Sequence, residues 1–104
     1  MNNYWVAFSG GLDSHVLLHF LKQEFPELNL NAIHVNHQLL PQANQWEKHC
    51  QVVCDQLKIP LKISYVKINI KPGESLEAVA RQKRYGVFKK LLSKNDVLFT
   101  AHHQ

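Results

Sequence analysis

Tyr4-Trp5-Val6-Ala7-Phe8-Ser9-Gly10-Gly11-Leu12-Asp13-Ser14 decides how the rest of the chain is read. Residues 4–8 are short, apolar and rich in β-formers, which predicts a buried strand. Beyond Ser14, Leu17, Leu18 and Leu21, with Val16 and Phe20 beside them, predict a broadly apolar helix that Pro26 helps to terminate. Between strand and helix, two adjacent glycines let the backbone turn and approach an anion with no Cβ in the way. The helix that follows offers unpaired amides and a positive dipole end. Ser9 and Ser14 add hydroxyl donors, and Asp13 adds a carboxylate suited to a Mg²⁺ bridging phosphate oxygens. The segment therefore predicts a phosphate site, and with it a nucleotide. It lacks the Lys-Ser/Thr ending of the Walker loop, and its glycines lack the spacing of the dinucleotide fingerprint.

Working outward, Leu30-Asn31-Ala32-Ile33-His34-Val35 predicts a second strand at 30–35. After a polar turn at 41–44, Trp46, Cys50, Val53, Cys54 and Leu57 follow helical spacing up to about Lys58, before Pro60. Residues 61–70 alternate as a third strand, which Lys71-Pro72-Gly73 breaks. Ser75 is placed to cap a helix carrying Glu77 in its first turn and marked by Leu76, Val79, Ala80, Val87, Phe88 and Leu91. Residues 96–101 predict a fourth strand. Strand and helix alternate throughout, which predicts an α/β fold: a doubly wound, Rossmann-like parallel sheet with right-handed crossovers. Ligands of such sheets bind beyond the carboxyl ends of the strands. Three polar clusters fall on that rim: residues 9–14, residues 34–37, and His102 with His103.

The chain has 104 residues, enough for one domain or part of one. Its content of 45% hydrophobic and 19% charged residues is that of an ordinary globular protein. No apolar run approaches the roughly 20 residues that span a bilayer, and a cytoplasmic location is expected. Cys50 and Cys54, four apart, share one helix face and are expected to be free thiols in the core. The net charge of +4 is unevenly spread. Residues 1–57 hold Lys22 and Lys48 against five acids, whereas residues 58–104 hold ten Lys/Arg against Glu74, Glu77 and Asp96. A polyanion such as RNA suits that asymmetry, and so does a plain solvated face.

Two clusters refine the picture. His34-Val35-Asn36-His37 ends an apolar strand with polar groups able to contact a base or substrate, and no Cys/His spacing matches a closed zinc site. Glu77, Arg81 and Arg84 share one helix face by i,i+4 and i,i+3 spacing, with Tyr85 adjacent. Grouped arginines can hold phosphates or stabilise charge developing at an attacked oxygen; they can equally form a surface ion-pair network.

Ser9-Gly10-Gly11-Leu12-Asp13-Ser14 resembles the SGGxDS loop of the PP-loop ATP pyrophosphatases, which adenylate a carbonyl-type oxygen and release pyrophosphate. Taken together with Ala32-Ile33-His34-Val35-Asn36-His37, Ala80-Arg81-xx-Arg84-Tyr85 and Thr100-Ala101-His102-His103, it resembles the N-terminal catalytic domain of the bacterial tRNA(Ile)-lysidine synthetase family. The resemblance runs over nearly the whole chain.

That resemblance implies an ATP-dependent ligase that adenylates the wobble cytidine of isoleucine tRNA and then joins free L-lysine to it. It implies that Ser9, Gly10, Gly11, Leu12, Asp13 and Ser14 cradle the ATP phosphates, with Asp13 holding Mg²⁺. Ala7, Phe8, His34 and Val35 would line the adenosine site. Arg81 and Arg84, oriented by Glu77, would face the reacting cytidine, with His37 and His103 as further substrate contacts. In the family, the His-His segment leads one residue later into an acidic pair, then into the rest of the ATP domain and C-terminal tRNA-binding domains. Residues 1–104 are accordingly expected to be an N-terminal part, inactive alone, whose fourth strand offers an open edge for self-association. A PP-loop tRNA thiolation enzyme, a PP-loop amidotransferase-type synthetase and a non-catalytic ATP- or AMP-binding module are the alternatives. Thiolation would call for reactive cysteines.

Overall fold

The computed structural model describes residues 3–9, 11–38 and 42–101. The elements alternate as expected: β1 (Tyr4–Ala7), α1 (Leu12–Glu24), β2 (Leu30–Asn36), α2 (Ala43–Leu57), β3 (Leu61–Tyr65), α3 (Leu76–Leu91) and β4 (Val97–Thr100). All strand pairs are parallel, in the order β3-β2-β1-β4. The chain steps one way from β1 to β2 to β3, then crosses back to place β4 on the far side of β1. This reversal makes the topological switch point at which doubly wound sheets bind ligands.

Alternation along β1 and β2 sends Val6, Phe8, Leu30 and Ala32 to one face. There they join Leu18 and Leu21 of α1 and Cys50, Val53 and Cys54 of α2 in a continuous buried cluster closed by Ile59. α2 ends at Lys58, which adopts a left-handed conformation (φ 58°), while the Ile59 amide donates to the Cys54 carbonyl at 2.9 Å. This closes the helix ahead of Pro60 in the manner of an αL cap. The opposite face carries Ile33 and Val35 and is overlain by α3, whose Val79 and Phe88 are buried. α3 starts where expected, at Ser75, whose hydroxyl accepts the Ala78 amide at 3.5 Å. Ahead of it, Gly73 (φ +86°) follows Pro72 in a turn closed by the Glu74 amide on the Lys71 carbonyl at 3.0 Å; that φ favours glycine.

The strand limits differ from expectation in ways that pairing explains. The third strand, expected over 61–70, ends at Tyr65, because its neighbour β2 ends at Asn36, the residue paired with Tyr65. One more bond, from the Val66 amide to the Asn36 carbonyl, closes the ladder, and residues 67–70 have no strand to pair with. β2 runs one residue beyond the expected 30–35. The first and fourth strands, expected over 4–8 and 96–101, end together at the paired residues Ala7 and Thr100. Phe8 leaves the strand while its amide still donates to the Ile33 carbonyl at 2.8 Å. The sheet edge is therefore stepped: β1 and β4 stop while β2 continues through His34, Val35 and Asn36. Among the described residues no helix is long and apolar enough to cross a membrane.

Candidate nucleotide site

A cavity of about 380 Å³ fills the step in the sheet edge. Ala7, Phe8, Ser9 and Ser14 form its β1 side, His34, Val35, Asn36 and His37 its β2 side, and Arg81, Arg84, Tyr85 and Phe88 of α3 its roof. Thr100 and Ala101, at the end of β4, complete it.

The bend after β1 is organised by two serines. Ser14, buried at 3% exposure, accepts the Ser9 amide through its hydroxyl oxygen at 3.2 Å and donates to the Gly11 carbonyl at 3.2 Å. The Ser9 and Ser14 hydroxyls lie 3.1 Å apart, and the Gly11 amide donates to Ser9 Oγ at 3.2 Å. A hydroxyl from the first turn of the helix thus ties down the loop that precedes it. Gly11 is the N-cap of α1 and, lacking a side chain, gives no side-chain cap, in contrast to Ser75 on α3. Its φ of −78° and ψ of 168° are open to any residue, so glycine is not needed here for the turn. A Cβ would meet Ser9 Oγ at 3.4 Å, an ordinary contact.

The β2 side is equally determined. His34 is buried, and its Nδ1 lies 2.9 Å from the Phe8 carbonyl oxygen. A carbonyl only accepts, so Nδ1 carries the proton, and the ring is fixed with Nε2 as its other polar atom. Cys50 Sγ packs 3.7 Å from the same Nδ1. Asn36, 2% exposed, donates to Glu47 Oε1 at 3.0 Å and accepts the Gln38 amide at 2.8 Å. The hydrogen bond from Asn36 holds the Glu47 carboxyl below its ordinary value, against the opposing effect of burial and with smaller help from Tyr65. His37 lines the cavity near the Ala80 backbone and Arg84 of α3. Burial lowers its pKa, with Arg84 and His34 pushing the same way and the Ala80 bond opposing. Its buried Nε2 has no hydrogen-bond partner among the described residues.

Of the residues expected at the site, Ala7, Phe8, Ser9, Ser14, His34, Val35, His37, Arg81 and Arg84 line one cavity. Gly11, Leu12 and Asp13 sit at the head of α1 outside its wall. Leu12 turns its side chain outward at 77% exposure, so the helix start offers the backbone of this residue and not its side chain. Asp13 is in the first turn of α1. Glu77 is exposed, one turn before the arginines and off the wall. Gly10, His102 and His103 lie outside the described residues. Among the described residues, no three His, Cys, Asp or Glu side chains gather as a metal cage.

Sequence reasoning missed the part played by Trp46. Its i,i+4 spacing to Cys50 placed it on the apolar face of α2, but it lines the cavity, half exposed, while Cys50 and Cys54 are buried. The signal was its position in the first turn, directly after the rim. Glu47 was missed too, because its partners Asn36 and Tyr65 are brought to it only by the fold. The two cysteines are free, and burial pushes their thiols up to about 11 for Cys50 and about 12 for Cys54.

A parallel sheet with a serine-tied bend between its first strand and first helix, and a cavity at the switch point, is the architecture of a nucleotide-binding α/β domain. All 104 residues match the PP-loop domain family, and the chain belongs to that family. It is 50% identical over 104 residues to the tRNA(Ile)-lysidine synthase of Coxiella burnetii and 52% identical over 103 residues to that of Yersinia pestis. These alignments cover 97% and 94% of this chain but only 23% and 22% of those proteins, so the chain spans less than a quarter of the curated relatives' length. The fold is shared with the U34-tRNA thiolase of Methanococcus maripaludis, solved with its 4Fe–4S cluster (TM-score 0.68, 23% identity, 99% of this chain and 40% of that one). It is also shared with the NH3-dependent NAD synthetase of Campylobacter jejuni (TM-score 0.66, 19% identity, 97% and 47%).

Proposed function

We propose that this chain is the ATP-handling part of a tRNA(Ile)-lysidine synthase. The observation that carries the reading is the single cavity joining the Ser9–Ser14 bend to the two arginines of α3. One end suits a triphosphate and the other a second, anionic reactant. The relatives named tRNA(Ile)-lysidine synthase support the enzyme class, and the family resemblance implies the reaction.

On this reading residues 9–14 cradle the phosphates of ATP, the Ser9 and Ser14 hydroxyls and the α1 backbone serving as donors. Ala7, Phe8, His34 and Val35 line the adenosine. Asp13 would hold a Mg²⁺ ion, which would supply neutralisation of the phosphate charge. The C2 oxygen of the wobble cytidine attacks the α-phosphorus; that P–O bond forms, the α–β bond breaks and pyrophosphate leaves. The ε-amine of lysine then adds at C2, the C–O bond breaks, and AMP departs with the former C2 oxygen. Arg81 and Arg84 balance the charge that develops at the attacked phosphate, with Glu77 orienting them and His37 and His103 meeting the substrate. The basic second half of the chain suits the tRNA.

Thiolation fits less well. Sulfur transfer through this chain's own cysteines requires accessible thiolates, and Cys50 and Cys54 are buried with raised pKa values.

In the gene product carrying this chain, a single turnover of pyrophosphate release should depend on isoleucine tRNA and repeated turnover on L-lysine as well, and Asp13→Asn should abolish the Mg²⁺-dependent part of ATP binding. Release that needs neither co-substrate, or that requires a sulfur donor, overturns the reading.

A further inference from the structure

Trp46 is exposed by 51%, yet it lines the wall of the cavity. It stands on the first turn of α2. The next residues on its stripe, Cys50, Val53 and Cys54, are buried. An indole is the largest apolar group a side chain can offer, and one left half in water at a cavity mouth retains an open aromatic face.

The walls of the cavity differ in charge. α2 contributes Ala43 and Trp46, both uncharged, whereas α3 contributes Arg81 and Arg84. Glu47, beside Trp46 in sequence, is engaged by Asn36 and Tyr65 and lies off the wall. A flat, neutral group therefore belongs on the α2 side, and a phosphate-bearing reactant beside α3. The bend that would hold the triphosphate lies on β1, with β2 between it and Trp46. A nucleotide laid from Ser9 across His34 and Val35 runs along the cavity that Trp46 also lines.

We propose that Trp46 is the stacking wall for the adenine of the bound nucleotide. This rests on the nucleotide reading above and adds to it the residue that recognises the base. Trp46 positions the adenosine end and takes no part in the chemistry at phosphorus.

The chain's only other tryptophan, Trp5, donates its Nε1 to Asp96 Oδ2 at 3.2 Å, on the amino-end side of the sheet. Trp5→Phe thus leaves Trp46 as the sole indole reporter. Titrating that variant with ATP should quench its fluorescence. By equilibrium dialysis, Trp46→Leu should weaken ATP binding about tenfold, the scale of one base–aromatic stack, while Trp46→Phe stays within about threefold of wild type. Inorganic tripolyphosphate, which has no base, should bind wild type and Trp46→Leu alike. ATP binding with no fluorescence response and no loss in Trp46→Leu overturns this assignment and leaves the nucleotide reading standing. Equal loss of ATP and tripolyphosphate in Trp46→Leu also overturns it, by making the role structural. Failure of the wild-type chain to bind ATP or tripolyphosphate overturns the nucleotide reading, and the assignment with it.

Discussion

The two faces of this sheet do different work. On the α1/α2 face, Leu18, Leu21, Cys50, Val53 and Cys54 interlock with Val6, Phe8, Leu30 and Ala32 into one apolar cluster. On the α3 face, Val79, Phe88 and Ile33 are buried, but the helix stands away from the strand ends, and arginines and a tyrosine face the space left open. One face holds the strands in register; the other uses that rigidity to frame a cavity. The same alternation of side chains along β2 serves both, since Ala32 joins the core while Ile33 and Val35 floor the site.

The largest expected effect tests this division directly. Leu18→Ala, at a site with no exposure, should cost about 2–5 kcal/mol in denaturant unfolding. Arg84→Ala, on the open face, should change stability by no more than about 0.5 kcal/mol and yet weaken RNA binding by about tenfold. Comparable destabilisation by the two substitutions would break the comparison.

A smaller effect is expected where the faces meet at the rim. Asn36→Leu strips a donor from Glu47 and an acceptor from the Gln38 amide, and both partners remain within reach of water. A cost of about 1 kcal/mol follows. Because hydrogen bonding depresses the Glu47 pKa in the folded chain, its contribution to stability is present above the unfolded-state value and is lost as pH falls through the folded one. In Asn36→Leu that acid-side loss should shrink, and an NMR titration should find Glu47 ionising nearer its ordinary value. An unchanged Glu47 titration would show that Asn36 does not govern it.

These two predictions also mark how far the sequence could be read. Period-two and period-3.6 patterns are local, so the order of elements and the bend at Ser9–Ser14 were legible, as was the Ser75 cap. Strand length was not, because Ile63 and Tyr65 carry no sign that their partner β2 stops at Asn36. Nor did helical spacing reveal where burial stops along α2, between the buried Cys50 and the half-exposed Trp46 one turn earlier. The Asn36–Glu47–Tyr65 connection joins three elements and has no local signature. Gly11 shows the converse: its residue type suggested a turn only glycine could make, yet its backbone is open to any residue and a Cβ would make an ordinary contact.

The weakest expected effect compares one histidine from each face. The His15 ring on α1 lies 4.8 Å from that of His19 and 6.2 Å from that of His49 on α2, and burial followed by these two neighbours lowers its pKa. His37, beneath α3, is lowered by burial and then by Arg84 and His34. In both cases the unfolded chain binds the proton more readily than the folded one. Stability from each group is therefore present above the unfolded value near pH 6.5 and falls as pH drops through the lower folded value. The origins differ, and so should the remedies. His19→Gln should raise the His15 pKa and leave His37 unmoved, while Arg84→Gln should raise His37 and leave His15 unmoved, as read from imidazole proton shifts against pH. Cross-talk between the two would mean that the faces are electrostatically one body; independent responses would confine the acid sensitivity of the site to groups that α3 itself brings to the cavity.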